Sequence, residues 1–290
     1  MEKVGTIWVV GAVAMDTVVY FQTLIQHGRY VQAEEVIRRV GGSPANVALG
    51  LAASGVKTSF VTALGADPDG EIIRERLTSA GFESVSITQT SMASNQCIVM
   101  VEPTGERTMF GLGPGNISHI KLVGIDLSPE DTVVFVGWNS LFYEDLEYAK
   151  GKGCITFVGL GAILDSSVTA DVAFGSLSDL PPGYDFLAPL ERFEKVVVTR
   201  GELGATQYSD SGELNQPAIE SEVLDTTGAG DAFLAGYLLE HSLGDREGKS
   251  GMMTGAKWAS AMVGLKDSVP PNFNDVVPQN YRQEIQPNFK

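Results

Sequence analysis

The sequence has few cysteines and few basic residues, and each shortage excludes a class of protein. Cys97 and Cys154 are its two cysteines, too few for a disulfide framework, and neither has a Cys or His neighbour at metal-ligand spacing. Twenty Lys and Arg against 36 Asp and Glu leave a net charge of −16. This balance argues against a nucleic-acid-binding protein and against adsorption to anionic membranes. An anionic ligand would therefore have to be bound by local donors and not by the overall field.

Long hydrophobic runs are also missing. No uninterrupted apolar stretch approaches the ~18 residues of a membrane span. Residues 4–15 are mostly apolar or small, and Ala12-Val13-Ala14 resembles a signal-peptidase site. The flanking charges do not fit a secretion signal, because Glu2 offsets Lys3 and Asp16 follows at once. Together with two free thiols, these features predict a cytoplasmic protein.

The order of elements along the chain indicates an α/β fold. Residues 6–11 form a short continuous apolar run, as in a strand buried on both faces of a parallel sheet. Predicted strands then alternate with helices, which implies right-handed crossovers and a doubly wound, mostly parallel sheet with helices on both faces. Two helices near residues 229–241 and 252–266 end the pattern, and an irregular tail is predicted from Pro270.

Two β-rich segments interrupt this alternation. Residues 17–40 contain short, half-polar strands, and residues 96–112 have the pattern of a hairpin with its turn at Pro103-Thr104-Gly105-Glu106. We therefore predict a small, discontinuous β-strand lid formed by 17–40 and 96–112. The α/β core would comprise residues 1–16, 41–95 and 113–290. Because ligands of open α/β sheets bind at the carboxyl ends of the strands, both insertions are expected to cover one site.

The segment Asp225-Thr226-Thr227-Gly228-Ala229-Gly230-Asp231 precedes a strongly apolar helix. Its small residues are thus predicted at a helix N-terminus, where unpaired N–H groups and the positive dipole end attract an anion. Asp in a first helical turn is a common capping residue. An acid beside a phosphate site would repel its ligand unless it had a task, and Asp231 is suited to accept the proton of an alcohol during phosphoryl transfer. No Walker lysine motif or protein-kinase catalytic loop is present in the sequence.

A second glycine-rich segment, Gly41-Gly42-Ser43-Pro44-Ala45-Asn46, leads into another predicted helix with Ser43 as its N-cap. Asn46 is a polar residue in an otherwise apolar stretch, and its amide could bind a hydroxylated ligand. Paired glycines before a helix can equally form a simple tight turn. Asp16 follows the first strand and is expected at the same crevice, although an Asp in a loop is often a turn residue.

These two segments, with Gly65-Ala66-Asp67-Pro68-Asp69-Gly70 after the first, resemble the ribokinase-like carbohydrate kinases of the PfkB family. The element order fits that family from residue 5 to about residue 270. The resemblance implies transfer of the γ-phosphoryl group of ATP, with Mg²⁺, to a hydroxymethyl group of a small sugar or sugar derivative. It implies that Asp231 is the catalytic base.

The resemblance also implies roles for other positions. The anion hole for the transferred group would be formed by Gly228, Ala229 and Gly230. The sugar hydroxyls would be held by Asp16, Gly41, Gly42 and Asn46. The nucleotide phosphates would contact Thr199 and Gly201, together with Gly228 and Gly230.

Metal binding is where the sequence departs from the family. The Asn-x-x-Glu motif maps onto Ser176-Leu177-Ser178-Asp179, and both polar residues differ. Asp179 could still order magnesium-bound water, since Mg²⁺ keeps several waters. In some relatives Asp225 and the carbonyl of Thr227 join a potassium site, so K⁺ is a further cofactor to test. The distal part of that site, residues 265–268, lacks the expected glycine.

Other functions stay open. A nucleoside kinase of the same fold would also phosphorylate a ribosyl alcohol. A catalytically silent sugar- or nucleotide-binding protein fits the altered Ser176 and Asp179 but not the intact Asp231. A dinucleotide oxidoreductase is disfavoured because residues 11–16 lack the G-x-G-x-x-G pattern.

Two arginines and the oligomeric state complete the expectations. Arg107, on the predicted hairpin, is expected to be a solvated charge. Arg200, beside the predicted phosphate strand, has a better position than Arg107, although direct phosphate contact is not the expected outcome. Exposed lid strands could pair into a homodimer, and a monomer is equally compatible with the sequence.

Overall fold

The computed structural model describes residues 5–276 with the exception of His27 and Pro114, so the outermost parts of the predicted core, 1–4 and 277–290, lie outside the described residues. The strands are β1 (Ile7–Val10), β2 (Ala14–Tyr20), β3 (Glu35–Gly41), β4 (Thr58–Gly65), β5 (Ser84–Thr90), β6 (Asn95–Val101), β7 (Arg107–Leu112), β8 (Thr132–Phe135), β9 (Ile155–Gly159), β10 (Ala170–Ser176), β11 (Phe193–Thr199), β12 (Ala205–Ser209) and β13 (Gly212–Gln216). The helices are α1 (Ser43–Ala53), α2 (Pro68–Thr78), α3 (Tyr143–Gly151), α4 (Ala229–Ser242), α5 (Lys249–Met262) and α6 (Phe273–Val276).

Nine strands form the large sheet in the order β13-β12-β11-β10-β9-β8-β1-β4-β5. The strands from β11 across to β5 are parallel, and β12 and β13 add an antiparallel edge. The chain passes from β1 to β4 and β5 on one side, then to β8, β9 and the later strands on the other. The strand order therefore reverses at β1, which is where ligands bind in open α/β sheets.

Both faces of the large sheet are buried. Alternate residues of β1 show this, because Ile7 and Val9 pack against α1, α2, α4 and α5, whereas Val10 packs on the opposite side with α3 and several 3₁₀ turns. The predicted doubly wound α/β fold is thus confirmed. Within the described residues, no helix has the length and apolar character needed to cross a bilayer.

The two β-rich insertions pair into a second sheet, in the order β3-β2-β6-β7. Its outer pairs are antiparallel, and the central pair β2–β6 is parallel. The predicted β lid is therefore present, with the hairpin turn between β6 and β7 closed by Gly105 N–H donating to Glu102 O at 2.9 Å. The domain boundaries given above remain a prediction. Asp16 lies inside β2 and not in the predicted loop.

Three local expectations were wrong. The edge strand β5 was not predicted because Ser84–Thr90 is half-exposed and mostly polar, so it carries no buried apolar run. The N-cap of helix α1 is Gly42 and not the predicted Ser43. A short helix, α6, lies in the predicted irregular tail, where Phe273 is buried against Trp258.

Candidate active site

A cavity of about 720 Å³ lies between the large sheet and the lid sheet. Its floor is formed by the carboxyl ends of β8 to β11, and its sides by the first turns of α1 and α4. The inner face of the lid closes it from above through Asp16, Cys97, Val99, Arg107 and Met109. Three carboxylates line it, namely Asp16, Asp179 and Asp231. The crevice predicted at the carboxyl ends of the strands is thus a cavity, and β2, β6 and β7 of the lid sheet cover it.

Asp231 lies in the first turn of α4 with its carboxylate held from α1. Asn46 Nδ2 donates to Asp231 Oδ2 at 2.7 Å, and the Ser43 hydroxyl also donates to this carboxylate. Burial raises the pKa of Asp231 to about 6, against the opposing effects of these two hydrogen bonds and of the Arg107 charge. The carboxylate is therefore ionised at neutral pH, and its pKa is close enough to 7 for it to accept a proton.

The turn before α4 depends on Gly228. Its φ of 80° lies in the left-handed region, and a Cβ at this position would overlap the carbonyl oxygen of Ser268. Gly228 and Gly230 line the cavity, as predicted for residues that approach a phosphate. Ala229 is not among the lining residues, and its N–H donates to Thr226 O at 3.3 Å. The free donors at this helix start are thus expected from the N–H groups that follow Ala229.

Asp16 enters the cavity from β2 and is 5% exposed. Burial raises its pKa to about 6, the Arg39 charge opposes this rise, and the Asp231 charge adds to it. Gly41 packs against this carboxylate, and a Cβ at Gly41 would overlap it. Gly41 is therefore a packing partner of Asp16 and not a lining residue, whereas Gly42 does line the cavity.

Some of the predicted nucleotide-binding residues line the cavity and others do not. Thr199 lines the cavity at the end of β11, and its hydroxyl donates to Gly175 O at 3.3 Å. Gly201 is exposed and outside the lining set. Arg200 donates to the Tyr208 hydroxyl and also does not line the cavity. Of the predicted phosphate-contacting positions on this strand end, Thr199 alone faces the cavity.

Arg107 differs from the expected solvated charge. It lines the cavity, and its Nη1 donates to Thr226 Oγ1 at 2.6 Å. Its Nε is buried without a hydrogen-bond partner. In the β6–β7 pair Arg107 lies opposite Val101, so both side chains are on the inner face of the lid. The sequence does not show this pairing.

Of the two predicted metal positions, the residue proposed for magnesium lies at the cavity. No group of three His, Cys, Asp or Glu side chains with metal-binding geometry occurs in the part of the chain that the structure describes. Asp179 lines the cavity and accepts a hydrogen bond from Ser176 N–H at 2.9 Å through one carboxylate oxygen. A single carboxylate of this kind fits Mg²⁺ that arrives with waters and substrate phosphates.

A monovalent cation at Asp225 and Thr227 does not fit the residues present. The Asp225 side chain is fully buried, and Oδ1 accepts from Thr227 N–H at 2.8 Å. Oδ2 accepts from the Tyr20 hydroxyl at 3.0 Å and lies 3.9 Å from Arg39 Nη2. Both oxygens are thus engaged and a guanidinium already supplies positive charge, so a further cation would be repelled.

Sequence reasoning missed Tyr20, Arg39 and Ser43 as members of this site. Ser43 was assigned a capping role, but the backbone turn at Gly42 leaves its hydroxyl free to reach Asp231. Tyr20 and Arg39 lie in the lid, and their partner Asp225 is about two hundred residues away in sequence. The two consecutive arginines of β3 were the available signal, since Arg38 and Arg39 must face opposite sides of a strand.

Comparisons with known proteins agree with this geometry. Residues 5–140 and 187–263 match the model of the pfkB family carbohydrate kinases. The acarbose 7(IV)-phosphotransferase of Actinoplanes sp. is 26% identical over 275 residues, with 84% of this chain and 88% of that protein covered. The ribokinase of Thermotoga maritima has a similar fold, with a TM-score of 0.76, 22% identity, and coverage of 93% of this chain and 97% of the other.

A nucleoside kinase of Burkholderia thailandensis in complex with inosine superposes with a TM-score of 0.79 at 19% identity, over 97% of this chain and 96% of that one. At these identities the solved structures establish the fold. The family match spans most of the described chain, including both lid insertions and the start of α4. The chain therefore belongs to the pfkB family of carbohydrate kinases.

Proposed function

We propose that the protein transfers the γ-phosphoryl group of ATP to a hydroxymethyl group of a small sugar or sugar derivative. The observation that carries this proposal is the position of Asp231. Its carboxylate lines the cavity directly beside the N-terminal end of α4 and is held by Asn46 at 2.7 Å. A base thus lies next to an anion-binding helix start, the two groups that phosphoryl transfer to an alcohol requires.

Each part of the cavity then has a task. Asp16 accepts hydrogen bonds from acceptor hydroxyls under the lid, and Asp231 accepts the proton of the attacking hydroxyl. The free N–H groups that follow Ala229, those of Gly230 and Asp231, hold the transferred phosphoryl group. Asp179 would hold magnesium that arrives with ATP, and the metal would neutralise phosphate charge. The lid excludes water that would otherwise consume ATP.

Asp231→Asn tests this assignment. An amide still accepts the Asn46 hydrogen bond but cannot accept a proton, so turnover should fall by about 10²- to 10⁴-fold with little change in binding of ATP or acceptor. Asp210→Asn, in the exposed turn between β12 and β13, is the matched control. The measurement is ATP consumption over a panel of sugars and nucleosides. Turnover within twofold of the wild type in Asp231→Asn would exclude Asp231 as the base.

The same panel decides between sugar and nucleoside acceptors. Trp138 lines the cavity just beyond β8, and Val99 and Met109 of the lid give it an apolar wall. These side chains could pack against a nucleobase, which favours a nucleoside kinase as the second candidate. Selective phosphorylation of nucleosides, with free sugars inactive, would establish the second candidate in place of the first.

A further inference from the structure

Arg39 is a buried arginine without a hydrogen-bonded partner. Its side chain is 10% exposed, and Nε, Nη1 and Nη2 are all buried with no acceptor within hydrogen-bonding geometry. A buried guanidinium left in this state is strongly unfavourable unless nearby opposite charge offsets its desolvation. The residue therefore requires a physical reason for its place in the fold.

The surroundings of Arg39 supply that reason. Arg39 on β3 lies directly opposite Asp16 on β2, so both side chains share the inner face of the lid. On its other side, Arg39 Nη2 lies 3.9 Å from Asp225 Oδ2 in the loop before α4. Tyr20 of β2 completes the cluster by donating to the same Asp225 oxygen at 3.0 Å. One guanidinium thus stands between a carboxylate that faces the acceptor and a carboxylate beneath the anion-binding turn.

Charge balance makes this position informative. Asp16, Asp225 and Asp231 converge within one region, and Arg39 and Arg107 are the cations that face them. Glu35 and Lys266 form an exposed pair at 2.9 Å near Tyr20, so they cancel each other at the rim. The charges of Asp16 and Asp231 repel each other in this partly buried site, and Arg39 offsets that repulsion at Asp16.

We propose that Arg39 is a positioning residue whose guanidinium neutralises Asp16 and Asp225 together, and so ties the acceptor-binding lid to the anion-binding turn. The same charge stands beside Asp225 where the family resemblance placed potassium, so the enzyme does not require a monovalent cation. This inference rests on the proposed function, because Asp16 is taken to bind the acceptor. It assigns to Arg39 no contact with substrate.

The first test is the pH dependence of acceptor binding. Three ionisable side chains face Asp16, namely Arg39 on β3, Asp231 on α4 and Cys97 on β6. Of these three, Arg39 alone favours the ionised form of Asp16. In the wild type the acceptor KM should rise as pH falls through about 6. In Arg39→Met this rise should begin at a higher pH, so that KM at pH 7 increases about tenfold.

Two further variants separate charge from structure. Arg39→Lys keeps the charge and should return the pH profile of KM close to that of the wild type. Arg38→Met is the matched control, because Arg38 is the next residue of β3, points to the other face and pairs with Asp69 at 2.7 Å. Its pH profile should not move. Equal profiles for Arg39→Met and Arg38→Met would overturn the proposal, as would failure of Arg39→Lys to restore the profile.

The second test uses cations and does not depend on turnover. Melting temperatures are measured in KCl, NaCl and tetramethylammonium chloride at equal ionic strength. The wild type should melt at the same temperature in all three salts, whereas Arg39→Met should be stabilised selectively by K⁺. Selective stabilisation of the wild type by K⁺ would overturn the proposal, and so would a variant indifferent to all three salts. A wild type that phosphorylates nothing in the panel would instead refute the proposed function.

Discussion

Replacing Asp231 by Asn should stabilise the protein although it lowers turnover by orders of magnitude. Burial raises the pKa of Asp231 from 3.8 to about 6, so the folded state disfavours the charge that the unfolded state accepts freely. A shift of this size corresponds to about 3 kcal/mol at pH 8, where the carboxyl is ionised in both states. Because Asp231 is partly exposed to the cavity, we expect a gain of about 1–3 kcal/mol.

The sign of the pH dependence distinguishes this cause from a general packing effect. For a carboxyl whose pKa is raised on folding, the cost of ionisation is complete above the folded pKa and is lost as pH falls toward the unfolded value. The stability difference between Asp231→Asn and the wild type should thus be largest at pH 8 and fall to about half at pH 5.

Urea unfolding at these two pH values measures the difference, with Asp210→Asn as the control for a surface Asp. The hydrogen bond from Asn46 survives the substitution, since an amide oxygen also accepts, so no new unsatisfied group is expected to offset the gain. A variant less stable than the wild type at pH 8, or one whose gain is the same at both pH values, would refute the reasoning.

Three other substitutions test neighbouring parts of the site. Asn46→Ala removes a hydrogen bond that favours the ionised form of Asp231, so the acidic limb of the kcat profile should move to higher pH, as measured by initial rates from pH 5 to 8. Gly228→Ala places a Cβ on Ser268 O at a φ of 80°, and should lower stability by about 1–3 kcal/mol in urea and reduce kcat. Asp16→Asn should raise the KM for the acceptor more than the KM for ATP, and equal changes in both would remove Asp16 from the acceptor subsite.

The sequence was sufficient for most of the elements and for the two glycine-rich segments, but not for β5, α6 or the N-cap of α1. The apolar run at residues 6–11 and the alternation that follows are local patterns, and burial on both faces of the sheet is their direct consequence. The need for glycine at position 228 could also be predicted, because a helix start that binds an anion needs a backbone without a Cβ. These features depend on neighbours within a few residues, which is why pattern and propensity predict them.

The side-chain contacts of the site could not be predicted from the sequence in the same way. Asn46, predicted to bind the sugar, lines the cavity, and the sequence did not show that it also donates to Asp231, 185 residues later in the chain. Tyr20 and Asp225 are separated by 205 residues and meet because the lid folds over the loop before α4. Such contacts depend on how two sheets are placed relative to each other, and neither sheet's own pattern contains that information.

The shortage of basic residues acquires a specific meaning once the lid is placed. Arg39 and Arg107 both face inward, toward Asp16, Asp225 and Asp231, and Arg107 also donates to Thr226. Opening the lid would separate Arg39 from Asp225 and Arg107 from Asp231, and buried carboxylates are costly to leave without a nearby cation. We infer that Arg39 and Arg107 hold the lid against the turn before α4, so that under the proposed function phosphate binding would fall to backbone N–H groups and to magnesium.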